Sequence, residues 1–146
     1  MNRKLIVIGV TTGTIPAAAT LGMLIGFGVR LGAPMRVLQV LGEITLSGGR
    51  AHGPAETSYV VAGAFLHLLA MLSCGVAYAA LLRDAGEHRA AWAIAIAATA
   101  IAVVFVAART FAGSIALVLT PANIIALGVV IALTLPIGMR FAPTRV

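Results

Sequence analysis

Apolar residues fall along the chain in long blocks, and the charged residues gather between them. The cleanest block is Tyr59 to Leu82, YVVAGAFLHLLAMLSCGVAYAALL, which carries no Asp, Glu, Lys or Arg. At about 1.5 Å of helical rise per residue it is long enough to cross a hydrocarbon core about 30 Å thick. The same pattern predicts spans at about residues 5–29, 57–82, 90–108 and 113–139. The expected fold is therefore all-α, a four-transmembrane-helix bundle forming a single membrane domain.

Within the second span, Gly63, His67, Ala70, Ser73 or Cys74, and Ala77 recur at three- and four-residue steps. This small and polar stripe is expected to face the bundle, with Val61, Phe65, Leu69, Leu72, Val76 and Leu82 turned toward lipid. The first span contains Pro16, which donates no backbone hydrogen bond and should loosen the helix locally. The fourth span has two possible starts. Thr120-Pro121 has the form of an N-cap followed by proline at the first helical position. A long kinked helix from near Gly113 is nonetheless expected, because an apolar connection from Phe111 to Leu119 exposed to water would be costly.

Between the first two spans the period changes. From Pro34 to Leu46, Val37, Leu38, Leu41 and Ile44 share one side of a helix and Arg36, Gln39 and Glu43 lie toward the other. A short amphipathic helix lying in the membrane interface is expected in this first loop, ended by Ser47-Gly48-Gly49. Gly53-Pro54 should then break the chain, and Thr57 or Ser58 should cap the next helix.

Composition agrees with the pattern. Of 146 residues, 61% are hydrophobic and 10% charged, with a mean hydropathy of +1.09. Soluble domains carry charge on about a quarter of their residues. The net charge of +6 comes from basic residues scattered singly at span ends, where they meet lipid phosphates, so no nucleic-acid partner is expected. An apolar run this long after Arg3 and Lys4 reads as an uncleaved first span rather than a signal peptide. Arg3, Lys4, Arg83, Arg89, Arg140 and Arg145 would share one side, against Arg30, Arg36, Arg50 and Arg109. The positive-inside rule then puts both termini in the cytoplasm of a bacterial inner membrane, with multiple passes.

His67 is the first residue to consider for chemistry, because an ionisable side chain inside a membrane is functional by default. A haem held by two histidines would need a second one at the same depth, and His52 and His88 lie in the loop and the turn. A single-histidine pigment or haem site at His67 is one expectation. A small transporter or channel using His67 and Asn123 is another, Asn123 lying beside the backbone break at Pro121. A third use of His67 is a plain hydrogen bond to a threonine, Asn123 or a carbonyl on a neighbouring helix. No metal-ligand spacing, phosphate loop or nucleophile motif is present, so neither catalysis nor a resident cofactor or metal is expected. Ser73 and Asn123 join His67 as polar residues expected inside the bundle.

Gly9/Gly13 and Gly22/Gly26 form two small-xxx-small pairs on the first span, faces that allow another helix backbone to come close. A neighbouring span of the same chain is the first expected use. The Gly-rich face also carries the leading functional expectation, a small accessory or structural subunit that packs against a larger membrane complex or against copies of itself.

The stretch from Pro34 to Leu82 also resembles uncharacterised small bacterial integral membrane proteins with four helices, over about a third of the chain. The matching residues are Gly63, His67, Ser73, Gly75 and Tyr78, a histidine followed by small residues and a Gly-x-x-Tyr. The resemblance implies the four-helix architecture and no particular chemistry.

Overall fold

The computed structural model of the chain describes residues 3–48, 57–84, 88–111 and 118–142. Five helices lie in these residues: α1 (Arg3–Arg30), α2 (Arg36–Ser47), α3 (Thr57–Asp84), α4 (Arg89–Thr110) and α5 (Pro121–Phe141). All except α2 are long and apolar enough to cross a membrane. The protein is an integral membrane helical bundle, all-α, with the shorter α2 in the first loop as the amphipathic pattern predicts. The expected break at Gly53-Pro54 lies outside the described residues.

The termini of the long helices alternate. Lys4 and Leu5 of α1, Arg83 of α3, Arg89 of α4 and Met139 of α5 surround a cavity of about 280 Å³ at one end of the bundle. The start of α1 and the end of α5 therefore lie at the same end. Packing is uneven around the ring. α1 makes the broadest contacts, with α3 on one side and α5 on the other, and α4 packs mainly on α5. α3 and α4, although consecutive in the sequence, touch over little of their length.

Glycine sets the closest of these contacts. Gly9 lies against the Val76 backbone, Gly13 against Met71 and Leu72, and Gly75 faces both Gly9 and Gly13, so a methyl group at any of them would collide with main chain. Without a hydrophobic contrast between protein and lipid, such dispersion contact is a main source of helix association. Gly138 of α5 lies in the same way against the Thr12 carbonyl of α1. That carbonyl is the one which Pro16, four residues on, has no N–H to reach. α1 runs through Pro16 as one helix.

α2 is fixed to α3 by a second pair of close approaches, Gly42 on Tyr59 and Gly63 on the Leu38 carbonyl. Its C-cap, Gly48, adopts φ 62°, a left-handed conformation that glycine takes without a side-chain clash. One expectation for α2 is corrected here. Gln39 and Glu43 do not face water but are buried, at 3% and 2% exposure. The arrangement is stable because the polar groups satisfy each other. Gln39 Nε2 donates to Glu43 Oε1 at 2.7 Å, and Arg36 approaches the same oxygen at 3.5 Å.

The expected start of the last span near Gly113 is also corrected. α5 begins at Pro121, and Thr120 Oγ1 accepts the backbone N–H of Asn123 at 3.2 Å. The cap and the proline together set the boundary. Val118 and Leu119, at the end of the apolar connection, are buried with Leu24, Val37 and Ile124, and residues 112–117 lie outside the described residues.

Candidate functional site

The thin contact between α3 and α4 leaves room inside the bundle. The two helices close near the start of α4, where Tyr78 is fully buried and its hydroxyl donates to the Arg89 carbonyl at 3.1 Å. Farther along they part around a cavity of about 330 Å³. Leu66, His67, Ala70 and Met71 line it from α3, and Ala100, Val103 and Ala107 from α4. Leu24 of α1 and Ile124 and Leu127 of α5 close its far side, and Leu41 and Ile44 of α2 cover one end. Leu66, Ala70 and Val103 are also exposed on the outer surface. The cavity therefore opens sideways between α3 and α4, onto the face that lipid covers, and its wall is almost wholly apolar.

His67 and Thr20 are the polar residues in that wall. They face each other across the α1–α3 contact. His67 Nε2 lies 3.0 Å from Thr20 Oγ1 and 3.3 Å from the Ala17 carbonyl oxygen. The hydrogen bond to a threonine or carbonyl on a neighbouring helix is thus the arrangement present. Such a bond inside a membrane contributes about 0.6 kcal/mol on average and about 1.7 kcal/mol at most.

Other expected site residues fall elsewhere. Ser73 faces outward, its hydroxyl donating to the Leu69 carbonyl of its own helix at 2.8 Å, and is corrected as a bundle-interior residue. Ala70 and Ala77 are exposed as well. The true inner stripe of α3 runs through Gly63, His67, Met71, Gly75, Tyr78 and Leu82. It follows four-residue steps with one short step, and places Leu82 in the core rather than in lipid. Asn123 is half-buried at the start of α5 and does not line the cavity that holds His67. Among the described residues no group of His, Cys, Asp and Glu is arranged to hold a metal ion. The four α1 glycines divide: Gly9 and Gly13 are covered by α3, whereas Gly22 and Gly26 have open space before them.

What the sequence reading missed is the cavity itself. Its only local signal was His67 followed by Met71, one turn apart on one face. The parting of α3 from α4 depends on α4 choosing α5, which no local pattern records.

Comparison with protein families, with curated proteins and with solved structures found no match to the chain. In this fold Gly63, His67, Gly75 and Tyr78 are the residues by which α3 meets α2, α1 and α4.

Proposed function

We propose that this protein binds an apolar molecule drawn from the bilayer, held in the cavity between α3 and α4. The observation that carries the proposal is the sideways mouth formed by Leu66, Ala70 and Val103, which leads to an apolar interior headed by His67. A volume of about 330 Å³ is in the range of small-molecule pockets, which are mostly apolar with few polar groups. This reading narrows the single-histidine site to a binding role and assigns the chain no reaction. A diazirine-tagged alkyl probe in vesicles tests it. Labelling is expected on the cavity wall, at His67, Met71, Ile101 and Val104, and should be lost in the double variant Ala70→Trp/Ala100→Phe. Labelling confined to outward residues such as Phe65, Leu69 and Val106, as bulk lipid would give, overturns it.

A second reading, the accessory subunit, is favoured by a separate observation. Ala18, Gly22 and Gly26 form an exposed small-residue line on α1, and nothing lies within 4 Å of where a side chain at either glycine would begin. That line suits the approach of a helix from another membrane protein or from a second copy. Gly9 and Gly13 take no part in it. Recovery from mild detergent as a monomer, with no partner, would count against this reading. We further place the chain in a bacterial inner membrane with the Arg83/Arg89 end cytoplasmic, as the basic residues at that end favour. Protease protection of tags at the two ends of the bundle checks the orientation.

A further inference from the structure

The hydrogen bonds around His67 fix which of its ring nitrogens is bare. Thr20 Oγ1 lies 2.6 Å from the Pro16 carbonyl oxygen, which can only accept, so the single hydroxyl proton is spent there. Toward His67, Thr20 then presents lone pairs. The Ala17 carbonyl, 3.3 Å from the same nitrogen, also presents only lone pairs. Nε2 between these two acceptors must therefore carry the proton. Among the described residues no carboxylate lines the cavity to balance an imidazolium, so the ring is neutral and Nδ1 keeps its lone pair. Among the described residues nothing bonds to Nδ1. It is not sealed in either, since Trp92 Nε1 is the one buried side-chain nitrogen or oxygen without a partner among them.

Depth restricts the occupant further. His67 stands ten residues into α3, about 15 Å along the axis from Thr57 and so near the middle of a core about 30 Å thick. A phospholipid carries its polar groups at the membrane surface and only hydrocarbon at this level. A bare acceptor here selects a molecule whose hydrogen-bond donor is embedded in an apolar body.

We infer that the occupant is a compact lipophilic alcohol or phenol whose hydroxyl donates to His67 Nδ1. The inference rests on the cavity reading above but specifies the chemistry that the cavity selects. Its mouth at Leu66, Ala70 and Val103 admits the apolar body from lipid, and His67 in the wall supplies the acceptor for the hydroxyl.

The test uses the whole protein in phosphatidylcholine nanodiscs, with 4-nonylphenol and its methyl ether as probes. These differ in the donor while sharing the apolar body. The phenol is expected to bind about tenfold more tightly than the ether, the scale of one hydrogen bond. That preference should vanish in His67→Phe, which keeps a ring of similar size. Nitrogen-15 spectra of the wild-type protein should show a protonated Nε2 and a bare Nδ1, with the Nδ1 resonance moving on addition of phenol and not of ether. This second measurement does not depend on whether the variant folds. A protonated Nδ1, or equal binding of phenol and ether, overturns the inference while leaving the cavity reading in place. Absence of binding by either probe, or binding that survives the Ala70→Trp/Ala100→Phe plug, overturns the cavity reading itself.

Discussion

The two halves of α1 carry the same sequence motif and use it differently. Gly9 and Gly13 are covered by the α3 backbone, whereas Gly22 and Gly26, with the same spacing, face open space. The difference lies in the partner rather than the motif. α3 brings a third glycine, Gly75, to the first pair. Near the second pair α1 approaches the turn at Gly28, which packs against the Ala33 and Pro34 carbonyls. Close approach needs a small residue on both surfaces, and only the first half of α1 finds one. A small-xxx-small pair in a membrane helix is permission for contact, and the opposite helix decides whether it is used.

The sharpest way to break this contrast is to fill the covered half. Gly13→Val pushes a side chain into the main chain of Met71 and Leu72 and should cost about 3 kcal/mol or more, read as a lower unfolding midpoint in detergent. Gly75→Val should do the same from the other surface. Thr20 stands at the boundary between the halves, and Thr20→Val removes the nearer acceptor for His67. The expected loss is about 1 kcal/mol, and the Nε2 proton should then rest on the Ala17 carbonyl alone. In the open half, Gly22→Val and Gly26→Val should change unfolding by less than about 0.5 kcal/mol. If the exposed line docks a partner, the same changes should abolish recovery of that partner. Smallest of all is Ser73→Ala, an outward residue bonded only to its own helix, which should leave both unfolding and probe binding unchanged.

The spans were legible because length and lack of charge are enough to identify them. The α2 helix was legible because Val37, Leu38, Leu41 and Ile44 repeat at a helical period. The inner face of α3 lies one to two positions beyond the expected stripe, with Met71 and Gly75 buried where the stripe has Ala70 and Ser73 or Cys74. In water, polarity separates the two faces of a helix. In lipid both faces are apolar, and a serine can turn outward by bonding to its own carbonyl. The burial of Gln39 and Glu43 was hidden for the converse reason, since mutual pairing lets polar groups occupy a buried side. The start of α5 was written plainly in Thr120-Pro121. The longer helix is nonetheless the expectation from sequence, because the burial of Val118 and Leu119 with Leu24, Val37 and Ile124 cannot be seen along the chain.

The preference of α4 for α5 over α3 has a consequence in time. Chains emerge during synthesis at about 5–20 residues per second, so α5 begins to appear roughly 2–6 s after α4. During that interval α1, α2 and α3 have all been made and can associate, while α4 still lacks the helix it packs on most. The His67 wall is then open to the bilayer along its whole height. An apolar molecule can take its place at this stage and be enclosed once α5 has appeared and α4 packs on it. Loading would then belong to the birth of the protein rather than to its later life.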